Sequence, residues 1–204
     1  MLNINNKPAA KYFRNGVKRM SIKEMIEAQL KNEAVERDIR EKPEEKIIDD
    51  ILIKFPFLEN KLLNPCPGRI VSPPLMRGHF EQVFPFAARE AGFDRFHLVI
   101  GVDDGEDLGF IYVLSNRENI MLLLKQKVPK DSPQISSVTD IFYNALWHER
   151  ELVDLFGAVV EGLPEGPSYP LPDGWPEGNY PLRKEWKVEY FDRENMTYNP
   201  PAKK

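Results

Sequence analysis

The 204-residue chain is poor in the residues from which most redox and metal chemistry is built: it has one cysteine, Cys66, and three histidines, His79, His97 and His148. One thiol forms no internal disulfide, which makes a reducing compartment the default. It also falls short of the about four thiolates that hold an iron–sulfur cluster. Cys66 lies between prolines in "NPCPG" and reads as a structural loop residue rather than a nucleophile. The stretch "WHERE" begins like an H-E-x-x-H zinc helix, but Leu152 occupies the place of the second histidine. No apolar run approaches the roughly 20 residues of a membrane span. Residues 1–20 are basic but lack the continuous apolar segment of a secretory signal, so they read as a docking or mobile arm. The net charge of −4 gives no overall basic character for nucleic acid. "GVDDGEDLG" has glycines but no following helix, which excludes a phosphate cradle. Its carboxylates, Asp103, Asp104, Glu106 and Asp107, lack the calcium-loop pattern and read as a solvated hairpin turn. Nothing anchors a Ser-His-Asp arrangement. No self-sufficient active site is legible.

The chain does contain a core: 42% of its residues are hydrophobic and 11% aromatic. Ser21 and Glu24 form a capping box at the start of a charge-laced helix. Pro43 suits the first turn of another helix, which carries Ile47, Ile48, Ile51, Leu52 and Phe55 at helical spacing. "GRIVSPP" reads as a strand, "LMRGHFEQVFPFAAREAGF" as a helix interrupted or begun by Pro85, and "FHLVIGV", "LGFIYVLS" and "NIMLLLKQKVP" as three meander strands. The order predicts an α+β fold, a small mixed or antiparallel sheet with helices on one face. It divides into a basic N-terminal arm (1–20), a helical extension (21–67), an α+β core (68–160) and a Pro/Gly-rich strap and tail (161–204). The strap composition alone suggests disorder. Tyr169, Trp175, Tyr180 and Trp186, set into it, favour an ordered segment lying across a surface.

"TDIFYNALWHERELVDLFGAVV", residues 139–160, reads as a helix for most of its length. At about 100° per residue, Val138, Phe142, Ala145, Leu146, Leu152, Val153 and Phe156 fall within about 60° of Glu149. A carboxylate therefore bisects the apolar stripe. Trp147, Glu151 and Asp154 take the opposite side, Tyr143 and Arg150 one edge, and His148 the boundary. Arg150 and Asp154 stand at i,i+4 and can pair. The simplest alternative has Glu149 snorkelling to solvent from an ordinary helix, but its side chain is short for that. A buried carboxylate needs partners, and Arg183 or Lys184 of "PLRKEW" are the expected ones. The helix is then covered on both sides, by the sheet and by the strap or a partner.

These residues resemble the signature of the 30-kDa subunit family of respiratory complex I. The likeness rests on the Glu149–Arg150–Glu151 core after Trp147 and His148, then Asp154, Phe156 and Gly157, then Pro181, Leu182, Arg183 and Lys184, and spans about residues 68–186. Tyr180 stands where quinone-linked members usually have a histidine, and "LPEGPSYPLPDGWPEG", with Trp175, replaces a short basic segment. On both points the chain looks more like the branch found in membrane-bound nickel–iron hydrogenase and its sulfur-reducing relative. The resemblance implies a non-catalytic, peripheral-arm subunit of a ferredoxin-driven membrane complex, with no metal, flavin or cluster of its own. It would dock on the large nickel–iron-type subunit beside a small iron–sulfur subunit. It would sit at the cytoplasmic face of the cell membrane, touching the membrane only through its partners. Two alternatives stay open: the 30-kDa-type subunit of an NADH- or F420H2-driven quinone reductase, and a free-standing adaptor domain.

Overall fold

The computed structural model describes residues 43–201 together with Glu27. The basic arm and, apart from Glu27, the capped helix expected from Ser21 lie outside the described residues.

The first described element is α1 (Pro43–Lys54), with Pro43 in its first turn and Glu44 and Glu45 at its positive end. It buries Ile51, and the chain beyond it buries Phe55 and Leu58, all within the main core cluster. Buried Glu44 accepts a hydrogen bond from the Gly68 N–H, tying α1 to the first hairpin turn. That hairpin is β1 (Leu63–Cys66) and β2 (Arg69–Leu75). Helix α2 (Arg77–Arg89) follows, and Pro85 lies inside it rather than ending it. The meander is β3 (Arg95–Asp103), β4 (Asp107–Ser115) and β5 (Met121–Pro129). The sheet order is β1-β2-β5-β4-β3, with β2 and β5 parallel and the other pairs antiparallel. The expected α+β class with a small mixed sheet is what the structure shows.

Alternation along the strands decides which face the helices cover. Leu108, Phe110, Tyr112 and Leu114 of β4 and Leu122, Leu124, Gln126 and Val128 of β5 point inward and are buried. Phe80 and Phe84 of α2 pack on Tyr112, with ring centroids 4.6 and 5.5 Å away. The opposite sheet face keeps Leu98 and Ile100 exposed.

The helix expected over most of residues 139–160 is shorter. It runs as α3 (Leu146–Phe156), preceded by one 3-10 turn at Tyr143–Ala145. Phe142 is extended (φ −128°, ψ 92°). Val138 and Phe142 are therefore core residues ahead of the helix rather than members of its stripe. The reason is hydrogen bonding: the Val138 N–H turns back onto the Glu149 carboxylate, and the Asn144 side chain donates to the Phe96 carbonyl on β3. After α3, β7 (Val159–Glu161) pairs in parallel with β6 (Gln134–Ser136). The remaining chain has little regular structure. Its aromatics pack on one another: Trp175 lies 4.6 Å from Phe191, and Trp186 stacks on Tyr198 at 5.6 Å. The short ribbon of β8 (Phe191–Asp192) and β9 (Thr197–Tyr198) closes this small cluster.

Ile51 is 1% exposed and Ile53, two residues on, is 80% exposed. Ile51→Ala should cost about 2–5 kcal/mol in urea unfolding, as buried aliphatic truncations do. Ile53→Ala should leave the midpoint within experimental error. Equal effects would place α1 outside the core.

Candidate functional site

Helix α3 and the strap that crosses it gather most of the residues singled out in the sequence. Glu149 is fully buried. Its carboxylate accepts from the Ser137 hydroxyl at 2.6 Å and from the Val138 N–H at 2.7 Å. The expected counter-ions, Arg183 and Lys184, are not its partners. Two short, neutral donors on the segment entering the helix satisfy it instead. Burial holds the Glu149 carboxyl above its ordinary range, and the two hydrogen bonds only partly oppose that shift. The Tyr112 hydroxyl, buried without a partner among the described residues, is raised by burial and by the Glu149 charge.

Arg150 also departs from expectation. It is 7% exposed rather than lying along a solvated edge. Its Nη1 donates to the Pro167 carbonyl at 2.7 Å and its Nη2 to the Pro164 carbonyl at 2.8 Å. Asp154, its expected partner, instead accepts the Leu171 N–H at 3.3 Å. A Pro-rich loop offers carbonyls with few N–H groups to satisfy them, so a guanidinium is a fitting donor. Gly166 permits the approach, since a Cβ there would lie 2.1 Å from Nη2. The guanidinium also lies over the Trp147 ring, 5.8 Å from its centroid.

The two halves of the sequence signature meet at the end of α3. Gly157 closes the helix in the left-handed conformation at φ 69°, and its N–H bonds back to Val153 at 3.0 Å. Tyr180 packs against it so closely that a Cβ would sit 2.4 Å from the ring. Arg183 stacks on Tyr180 at 4.5 Å and donates through Nε to the Phe156 carbonyl at 2.7 Å. Pro181 sits between the two. Leu182 donates its N–H to the Leu155 carbonyl at 3.1 Å while its side chain is exposed. The residues that would cap α3 thus arrive from about 27 positions later in the chain.

Lys184 contributes its backbone, not its charge: its N–H donates to Asp103 Oδ2 at 2.7 Å. Asp103 is 7% exposed, so it does not belong to a solvated turn. It also accepts from Lys130 Nζ at 2.6 Å and from the Gly105 N–H at 2.8 Å. Burial pushes its pKa up, but these donors outweigh burial and bring it to about 2. Of the rest, His148 packs edge-on to Phe96, Phe156 edge-on to Phe110, and Trp175 donates to the Asn179 carbonyl at 2.7 Å. Glu151 is partly exposed.

Sequence reasoning misses Ser137, Gly166 and the role of Asp103. Only Asp103 leaves a trace there, as one acid of an acidic turn. Among the described residues no group of three or more His, Cys, Asp or Glu is placed to hold a metal ion. No helix among them is long and apolar enough to cross a membrane. The arrangement is a fastening, with most of its charged groups held at least in part by backbone partners.

The sequence profile of the family described as "Respiratory-chain NADH dehydrogenase, 30 Kd subunit" matches residues 75–192. The chain is 31% identical over 144 residues to a subunit of the F(420)H(2) dehydrogenase of Methanosarcina mazei, covering 69% of this chain and 90% of that one. It is 40% identical over 101 residues to a subunit of the NADH-quinone oxidoreductase of Chloroherpeton thalassium, covering 48% and 41%. It is 37% identical over 97 residues to the beta subunit of the membrane-bound hydrogenase of Pyrococcus furiosus, covering 45% and 56%. The chain thus spans only about half the length of these last two relatives. A chain in the structure of the membrane-bound sulfane sulfur reductase, an archaeal respiratory membrane complex, shares the fold. It aligns with a TM-score of 0.63 at 23% identity, over 76% of this chain and 98% of that chain.

Glu149→Ala should destabilise the protein by about 1–3 kcal/mol or more, because it strands the buried Val138 N–H. Glu149→Gln keeps an acceptor there and should cost less. The elevated Glu149 pKa means that the folded state holds its proton more tightly than the unfolded chain. That contribution is complete below 4.5 and is lost as pH rises through the raised value. Asp103 acts oppositely: its contribution is complete above 3.8 and is lost as pH falls through about 2. Urea unfolding against pH should therefore fall off less above 4.5 in Glu149→Gln, and less below 3.8 in Asp103→Asn. Unchanged profiles would contradict the assignments.

Proposed function

The chain belongs to the respiratory-chain NADH dehydrogenase 30-kDa subunit family, and from that premise we propose that it is a non-catalytic, peripheral subunit of a membrane-bound, complex-I-like oxidoreductase. It docks on the large catalytic subunit, at the cytoplasmic side, and holds that subunit through α3 and the strap. A nickel–iron-type centre and iron–sulfur clusters belong to the partner subunits. One observation carries the proposal: Arg150, Tyr180 and Arg183 lock the strap onto α3 through carbonyls and a glycine surface. This makes a rigid outer surface and spends both guanidiniums on structure rather than on a substrate. Preformed surfaces of this kind suit binding, because little conformational freedom is lost on association.

The preferred type is the ferredoxin-driven hydrogenase or sulfur-reductase branch. Tyr180 and the Pro-rich strap support it. The second reading is an F420H2- or NADH-driven quinone reductase, favoured by the extent of the match to the Methanosarcina mazei protein.

The test is to tag the chain in its native cells and identify what co-purifies. A large subunit with two CxxC pairs is expected for the preferred branch. A large subunit lacking them, with donor-oxidising subunits for F420H2 or NADH, would select the second reading. A monodisperse monomer with no redox subunit would overturn both. Arg183→Ala removes the Phe156 cap and the stacking on Tyr180, about 1–3 kcal/mol together. It should lower yield of the assembled complex and its turnover in parallel, and normal assembly would contradict the clamp.

A further inference from the structure

The outer surface of α3 and of the strap as far as residue 182 is aromatic and mostly acidic, whereas Lys184 and Lys187 follow farther along the strap. Tyr143 is 73% exposed, Trp147 50% and Tyr169 45%. Trp147 and Tyr169 meet edge to face with centroids 5.2 Å apart, and Tyr143 lies four residues before Trp147, on the 3-10 turn that enters α3. Between residues 139 and 182 the sequence has eight acids and a single Lys or Arg, which is Arg150. That one cation is directed inward, onto the Pro164 and Pro167 carbonyls. Glu165 and Asp173 remain exposed at the surface, and Glu151 partly so.

Trp147 and Tyr169 are pinned. The Arg150 guanidinium lies over the Trp147 ring and also ties down Pro167, two residues before Tyr169. Exposed Trp and Tyr carry a disproportionate share of interface energy. A rim of one sign steers a partner of the other. An acidic rim repels nucleic acid and anionic lipid, which leaves a protein partner. The exposed part of the sheet's outer face is different in kind: Leu98 and Ile100 are aliphatic, and Lys125 and Lys127 of β5 share that side of the sheet by register.

We infer that Tyr143, Trp147 and Tyr169, with their acidic rim, are the docking surface for a protein partner that presents an apolar recess bordered by lysine and arginine. This rests on the proposed function, in which that partner is the large catalytic subunit.

The experiment uses the full chain, tagged in its native cells, with two variants: Tyr143→Ala/Trp147→Ala, and Glu151→Lys/Glu165→Lys/Asp173→Lys. Each isolated variant should keep the wild-type circular dichroism and unfold cooperatively, with the Trp147 variant losing only the modest stability of its contacts with Arg150 and Tyr169. Each should recover at least about tenfold less of the large subunit, and wild-type recovery should fall between 0.1 and 1 M salt as the Debye length shrinks from about 10 to about 3 Å. If a variant fails to fold, a photo-crosslinking phenylalanine derivative placed at Tyr143 in the otherwise wild-type chain decides: cross-links to a Lys/Arg-rich segment of the large subunit support the surface. Folded variants that assemble normally would overturn it, as would cross-links only to a second copy of this chain. In those cases the wild-type chain still brings down its redox subunits. If it brings down none, the proposed function fails instead.

Discussion

Glu149 and Arg150 are adjacent in the chain and both withdrawn from solvent, about 100° apart around an eleven-residue helix. Neither is neutralised by a charge. The carboxylate is held by a hydroxyl and a backbone N–H that precede the helix, the guanidinium by two carbonyls that follow it. Leaving either group unsatisfied in an apolar setting is costly, so each one dictates where a neighbouring segment runs. Residues 137–138 must fold under α3, and residues 164–167 must cross over it.

The same economy continues at the end of the helix. Its terminal carbonyls need donors, and the Leu182 N–H and Arg183 Nε supply them from the strap. Gly157 leaves room for Tyr180, whose ring then supports Arg183. Asp103 collects the next backbone N–H along, that of Lys184, together with Lys130. A segment with little regular structure is thereby fixed at both edges, and its own aromatics fill the small cluster around Trp175 and Trp186. Order in the strap comes from partners outside it. This is why a composition that suggests disorder gives a defined surface, and why Trp147 and Tyr169 can stay exposed without being loose.

Much of this is legible in the residues. Alternation in "LGFIYVLS" and "NIMLLLKQKVP" marks a half-buried meander, and the apolar spacing around Ile51 marks α1, because burial of one face leaves a periodic trace. Glu149 stands out because it breaks such a trace. The spacing before Leu146 suggests more helix than there is: its apolar period is real, but Val138 and Phe142 reach the core from non-helical backbone, and periodicity alone does not separate the two cases.

The sequence by itself determined the α+β segmentation, the family signature, and that Glu149 sits on no solvated face. Tertiary structure alone decided what meets Glu149, that Arg150 turns inward rather than pairing with Asp154, and that Asp103 is a buried acceptor. The partners in these contacts are largely backbone N–H and C=O groups, which every residue carries. A side chain announces itself in the sequence; the carbonyl or amide waiting for it becomes specific only when the fold brings it within about 3 Å.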